Sequence, residues 1–372
     1  MSDKRAALAL EISPLGERHH TGIANVTKHL AKALLADDTV DQHFFFNRSE
    51  LPRAIVQQAV DLEDGSILWW IAARASAGPE LSFDPMQPVI GLYPGHKWHR
   101  RLFPVEVQIV HDITTLLAPR FHTEETVQFW QSQMLSDMLS SDLIVTVSES
   151  TKTDILTYYP QLAGRPCITV PLAPASVGPV TVEVQDAEPY VLVLGTLEPR
   201  KNVEVVLEAL SRRSDLIAAA RFVFAGHWGW GPGAEELTRR YGLQDAVASG
   251  RIVFSGFVAD SVRDALMTHA RCVLYVSHYE GFGLPILEAL RVGAPVLTGY
   301  GSSLPEVGGD VARYCDVADP DAVAAALLDI LSSAESGSAA ARQSRQDWAA
   351  TFDWSLTYRR IRDAAIAIAL TR

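Results

Sequence analysis

The chain has 372 residues, 48% of them apolar and 20% charged, which is the balance of a folded globular protein long enough for two domains. Its 32 basic and 44 acidic residues leave a formal net charge of −12. That deficit of Lys and Arg argues against nucleic acid as the main partner. Three isolated cysteines, Cys167, Cys272 and Cys315, show no metal-ligand spacing and read as reduced thiols in apolar surroundings. The opening MSDKRAALALEISP has no leader-like apolar run, and no stretch approaches the roughly 20 apolar residues that span a bilayer. The expectation is a cytoplasmic protein.

Short apolar runs alternate with helical patterns along the whole chain, the signature of parallel sheets wrapped by helices. In the first half, strands are expected over residues 6–12, 43–46, 89–93, 107–110, 143–147 and 168–170. A short glycine turn, Thr21-Gly22-Ile23-Ala24-Asn25, precedes a helix expected to begin near Val26. The stretch PLAPASVGPVTVEVQDAEP has no helical period and reads as an extended linker. Beyond it, strands are expected over residues 190–194, 221–225, 252–255, 272–276, 295–298 and 312–315, with helices opening near Asn202, Gly233, Asp260 and Pro285. The tail from Trp354 carries a helical apolar pattern that predicts packing back across the domains. The domains so defined are residues 1–174 and 185–353, followed by the helix 354–372. Two doubly wound domains in series predict a cleft between the carboxyl ends of their strands, where ligands bind in such folds.

Four turns could carry chemistry. In YVSHYEGFGLPILEALRVG a strand ends at Ser277 and His278, a Glu280-Gly281-Phe282-Gly283 loop follows, and Pro285 suits the start of a helix. Glycines let backbone N–H groups approach an anion, and the helix N-terminus adds partial positive charge. Glu280 in the loop and Glu288 one turn into the helix could accept hydrogen bonds from sugar hydroxyls; two solvated glutamates would look the same. In LVLGTLEPRKNVE, Arg200 and Lys201 stand at a helix entrance as a diphosphate clamp or as two exposed cations. QIVHD ends a buried-looking strand in His111, placed for a sugar hydroxyl or a proton, or for a structural hydrogen bond. The Gly22 turn is the weakest of the four signals.

Together these segments resemble the family 4 retaining glycosyltransferases of the GT-B fold. The resemblance runs nearly end to end: TGIANVTKHL, HDITTLLAPRFH, SDLIVTVSESTKTDIL, VLGTLEPRKNVEVVLEAL, FSGFV, EGFGLPILEAL and GAPVLTGYGSSLPEVGGDVARYCDVADP. Its most specific mark is the spacing from Glu280 to Glu288. The fold it implies is α/β, with two Rossmann-like doubly wound domains facing a cleft, the first binding acceptor and the second nucleotide-sugar. The resemblance implies that Glu280 contacts the donor sugar and Glu288 the ribose. Gly195 and the backbone around Phe282, Gly283 and Leu284 would then approach sugar and phosphate, while Arg200 and Lys201 neutralise the diphosphate. His111 would lie near the reacting carbon and Gly22 at the acceptor side. Glu306 in SSLPEV would sit on a loop near the nucleotide. Thr196 stands where many members carry an arginine, so the clamp rests on Arg200 and Lys201.

The reaction so implied is retaining transfer of a hexose to a glycan or lipid-linked glycan, in polysaccharide biosynthesis. The overall look resembles GDP-mannose-dependent mannosyltransferases, while UDP-sugar enzymes share the same features. No metal and no other cofactor is expected: Asp319-Pro320-Asp321 reads as a helix cap. The stretch from His96 to Arg101, HKWHRR, reads as a solvated basic loop, with peripheral contact to a membrane's inner face as its functional reading. Trp69, Trp70 and the run from Phe44 to Phe46 read as pocket lining or core. A dinucleotide oxidoreductase is disfavoured because Gly16 and Gly22 do not form G-x-G-x-x-G. A non-catalytic sugar- or nucleotide-binding regulator is disfavoured by the intact set of Glu280, Glu288, Arg200, Lys201 and His111.

Overall fold

The computed structural model describes residues 5–17, 22–61, 81–84, 87–175, 188–334 and 336–371. The chain divides into two compact units, Met1–Leu172 with Asp353–Arg372, and Ala173–Phe352.

The first unit is built on a seven-stranded sheet in the order β3-β2-β1-β4-β5-β6-β7. Its strands are β1 (Ala7–Glu11), β2 (Asp41–Phe46), β3 (Ser49–Glu50), β4 (Val89–Tyr93), β5 (Val105–Val110), β6 (Leu143–Thr146) and β7 (Cys167–Thr169). β1, β4 and β5 are buried along their whole length, as strands covered by helices on both faces must be. All pairings are parallel except β2 with β3, two residues turned back through Asn47 at φ 63°. That edge strand is too short and polar to show a sequence period. Phe44, Phe45 and Phe46 are buried core residues. Trp69 and Trp70 lie outside the described residues.

The Trp354–Leu370 helix belongs to this first unit. The Tyr358 hydroxyl and Arg362 Nη1 each donate to Asp37 Oδ2 at 2.8 Å, and Thr357 Oγ1 donates to Pro171 O at 2.7 Å. The rings of His29 and Trp354 stack at 4.5 Å. Burial works against the Asp37 carboxylate, but hydrogen bonds from Thr39, Arg362 and Tyr358 prevail and hold its pKa at about 2.

The second unit carries a wholly parallel six-stranded sheet in the order β10-β9-β8-β11-β12-β13. The strands are β8 (Tyr190–Leu194), β9 (Arg221–Ala225), β10 (Ile252–Gly256), β11 (Cys272–Tyr275), β12 (Val296–Gly299) and β13 (Arg313–Cys315). Strand order reverses between β8 and β11, the topological switch point at which such sheets bind ligands. The Val203–Arg212 helix buries Val203, Val206, Leu207 and Leu210 in the core shared with Phe222, Phe224 and Leu274. Short helices Ser214–Ala219 and Gln244–Ala248 escaped the sequence reading because fewer than two turns show no period. Asp319 caps the Pro320–Ser332 helix by accepting from Asp321 N at 2.9 Å. Residues 176–187, most of the expected linker, lie outside the described residues. Cys272 and Cys315 are buried and Cys167 half-buried, all three free, and burial pushes the Cys272 thiol up to about 12. Among the described residues no helix is long and apolar enough to cross a membrane.

Candidate functional site

In the second unit the site grows from the exits of β8 and β11. β8 leaves the sheet through Gly195 (φ 126°) beside Gly226 (φ 147°) at the end of β9. A Cβ on Gly226 would lie 1.9 Å from Gly195 O, so only glycine permits this close crossing. A single turn, Pro199–Lys201, then leads to Asn202, left-handed at φ 57°. The Asn202 amide donates to Val276 O at 3.2 Å and to Val317 O at 2.7 Å, tying this turn to the ends of its neighbours. His278 N donates to Arg200 O at 2.9 Å. The two turns flanking the switch point are thus stitched together by backbone and amide.

This stitching delivers three charged side chains to one place. Lys201 Nζ donates to Glu280 Oε1 at 2.5 Å and to the Tyr275 hydroxyl at 2.6 Å. Arg200 Nη1 donates to Glu280 Oε2 at 2.7 Å and to Tyr279 O at 3.1 Å, while its Nη2 lies 2.9 Å from Glu198 Oε1. All three groups are largely withdrawn from water. Burial alone would raise the Glu280 pKa; the charges of Lys201 and Arg200 outweigh it and bring the group to about 2. Burial pulls the Lys201 ammonium below its ordinary value, against the attraction of Glu280. Two cations and two carboxylates, Glu280 and Glu198, thus meet in one partly dry cluster, so an anion bound there would compete with the carboxylates for the N–H donors of Arg200 and Lys201.

The glutamate loop is held from β12. Glu280 N donates to Ser302 Oγ at 3.0 Å, and Ser303 Oγ lies 2.9 Å from Glu280 O and 2.8 Å from Phe282 O. Gly283, at φ 107°, precedes the Leu284–Arg291 helix, which starts one residue before the expected Pro285. Glu288 sits half-buried in that helix, outside the Arg200–Lys201–Glu280 cluster. Burial raises its pKa, and Arg263, itself paired to Asp260 and Asp264, opposes the shift. Glu306 stands on the short Leu304–Gly308 helix and is exposed, not on a loop as expected. Tyr275, Asn202, Ser302 and Ser303 were missed as site residues, since their contacts join strands far apart in sequence. The Ser277 hydroxyl is buried beside Glu280 and Tyr275. Among the same residues no group of three or more His, Cys, Asp or Glu side chains could hold a metal ion.

In the first unit the sheet order likewise reverses, between β1 and β4. His111 follows β5, and its Nε2 lies 2.7 Å from Pro94 O. A carbonyl only accepts, so Nε2 carries the proton and the neutral ring keeps a bare Nδ1. Burial pushes the imidazole pKa down, favouring that neutral form. Asp112 instead accepts from Thr114 N at 2.9 Å and opens the next helical turn. Gly22 (φ 30°) begins the Gly22–Leu35 helix, four residues before the expected start near Val26. Its neighbour Ile23 lies against Gly95. Pro94 and Gly95, just beyond β4, therefore link the Gly22 turn to His111. Glu11 ends β1 fully buried, and burial raises its carboxyl to about 7 despite a hydrogen bond from Ser13 N at 2.9 Å.

The stretch from His96 to Arg101 is only in part the solvated basic loop expected: Arg100 and Arg101 are exposed, Lys97 is not. Lys97 is 1% exposed, paired to Glu106 and donating to Ser140 Oγ at 2.8 Å. His96 Nδ1 (2.7 Å) and Arg100 Nε (2.6 Å) both meet the buried Asp137 carboxylate. Arg101 lies 3.6 Å from Asp142. Lys97 is drawn fully inward by a buried acid, while Arg100 and Arg101 pair with Asp137 and Asp142 and stay exposed.

Residues 181–347 match the family model described as Glycosyl transferases group 1. That stretch lies within the second unit, which is thus similar to group 1 glycosyltransferases, and the fold of the chain is GT-B. The chain is 33% identical over 236 residues to an O-antigen chain mannosyltransferase B of Escherichia coli, covering 60% of this chain. It spans 61% of that relative's length, less than two thirds. Sucrose-phosphate synthase from Thermosynechococcus elongatus superposes with a TM-score of 0.68 at 16% identity, over 99% of this chain and 100% of that one. WaaG, a glycosyltransferase involved in lipopolysaccharide biosynthesis, gives 0.62 at 14% identity over 97% and 99%. At these identities the two structures speak to fold alone.

Proposed function

We propose that the protein is a retaining hexosyltransferase that moves mannose from GDP-mannose to a glycan or lipid-linked glycan acceptor in polysaccharide biosynthesis. The observation that carries this reading is the Arg200–Lys201–Glu280 cluster at the β8/β11 switch point. The similarity to an O-antigen mannosyltransferase supports the choice of sugar.

In the proposed reaction the bond from the anomeric carbon to the diphosphate oxygen breaks as the acceptor oxygen bonds to the same face of that carbon. The departing phosphate takes the acceptor's proton. Arg200 and Lys201 stabilise the charge that grows on the leaving phosphate, the state an enzyme must bind best. The backbone from Phe282 to Leu284, opened by Gly195 and Gly283, approaches the donor, and Glu280 accepts from sugar hydroxyls while Glu288 accepts from the ribose. His111, neutral, bonds a sugar hydroxyl, and the Gly22 turn admits the acceptor. No metal is assigned a role.

Thermal unfolding with GDP, UDP or NAD, in the presence of a chelator, tests this reading. A ligand at about a hundred times its dissociation constant adds roughly 2.7 kcal/mol, which displaces the midpoint by a few degrees. GDP is expected to raise it without metal. A shift with UDP alone would replace the donor, and a shift with NAD alone would overturn the reading.

A further inference from the structure

Lys201 has three N–H donors, and among the described residues two of them are committed: to the Tyr275 hydroxyl at 2.6 Å and to Glu280 Oε1 at 2.5 Å. One direction remains for a ligand. Tyr275 ends β11, 3% exposed, with its carbonyl held by Thr298 Oγ1 at 2.7 Å. Lys201 Nζ lies 4.8 Å from the ring centroid but 2.6 Å from the oxygen, so the contact is a hydrogen bond to the phenol rather than to the ring face. Burial keeps this phenol protonated, its pKa pushed well up, so it meets Lys201 as a neutral acceptor.

We propose that Tyr275 is a positioning residue: its hydroxyl, with Glu280, fixes the Lys201 ammonium so that the remaining N–H points at the diphosphate of the donor. This rests on the reading of the second unit as a nucleoside diphosphate site. It assigns a role to a strand residue outside the glutamate loop. Four groups face the ammonium: Tyr275 from β11, Glu280 from the loop beyond it, and Arg200 and Glu198 from its own turn. Removing the phenol oxygen takes away an acceptor that favours the charged form, so Lys201 loses its proton at lower pH.

Calorimetric titration of the full chain with GDP and with UDP, from about pH 7 to about pH 10, tests this around the ordinary lysine pKa. The proteins compared are wild type, Tyr275→Phe, Lys201→Met and the double variant, with Tyr275→Met as a second route to the loss of the hydroxyl. The Phe variant is expected to bind the preferred nucleotide about tenfold more weakly, the effect of one hydrogen bond to a charged group. Its affinity should fall off at lower pH than that of wild type. In the Lys201→Met background the Tyr275 change should cost nothing further. Wild-type affinity and pH profile in the Tyr275 variants, or full additivity with Lys201→Met, would overturn the assignment while leaving the diphosphate site standing. If wild type itself binds neither nucleotide, the reading of the site falls and Tyr275 has no ligand to position.

Discussion

Two residues show how much a single position can carry. Gly226 meets the carbonyl of Gly195 at a distance that no Cβ survives, and its φ of 147° is strained for any L side chain. Gly226→Ala should therefore cost about 3 kcal/mol, read as a lowered urea midpoint of the second unit. A midpoint unchanged from wild type would show that the crossing of β8 and β9 can relax. Lys97 and Glu106 form an ion pair whose side chains are both sealed from solvent. Lys97→Met leaves the carboxylate buried without its cation, a loss of about 3–5 kcal/mol. Adding Glu106→Gln to that variant should restore part of the midpoint. If Lys97→Met alone unfolds like wild type, the pair does not have the structural role assigned to it.

At the scale of elements, the Trp354–Leu370 helix is latched through Asp37. That carboxylate ionises at about 2 in the folded chain against an ordinary Asp value near 4, so the unfolded state binds more protons between the two. The latch contributes its full stability above about pH 4 and loses it as pH falls toward 2. Asp37→Asn should flatten stability across that window and speed amide exchange in the helix at neutral pH. Exchange as slow as in wild type would assign the helix's hold to its apolar face alone. The strands were legible because long apolar runs and parallel burial leave a plain signal, as in VIGLY and YVLVL. β3 and the two short helices were not, being too brief for any period. Within the site, EGFG and RK stood out by residue type, but the Tyr275–Lys201 and Asn202–Val317 contacts span 74 and 115 positions of sequence. HKWHRR misled in part for a related reason: the acids that pair with its cations, Glu106, Asp137 and Asp142, lie elsewhere in the sequence, and Glu106 holds Lys97 out of solvent.

At the scale of the molecule, the two units have separate cores, and the proposed diphosphate site lies in the second. Scanning calorimetry should resolve transitions for each unit, and GDP should raise the one belonging to Ala173–Phe352. Selective stabilisation of the first unit would place the nucleotide elsewhere. The central claim is tested most directly by transfer itself, with GDP-mannose, a mannose-terminated lipid-linked acceptor and a chelator. Wild type should release GDP in step with elongated acceptor, keep the anomeric configuration of the donor, and lose at least about a hundredfold in turnover as Glu280→Gln. Release of GDP without elongated acceptor, inversion at the anomeric carbon, or undiminished turnover in that variant would contradict the account.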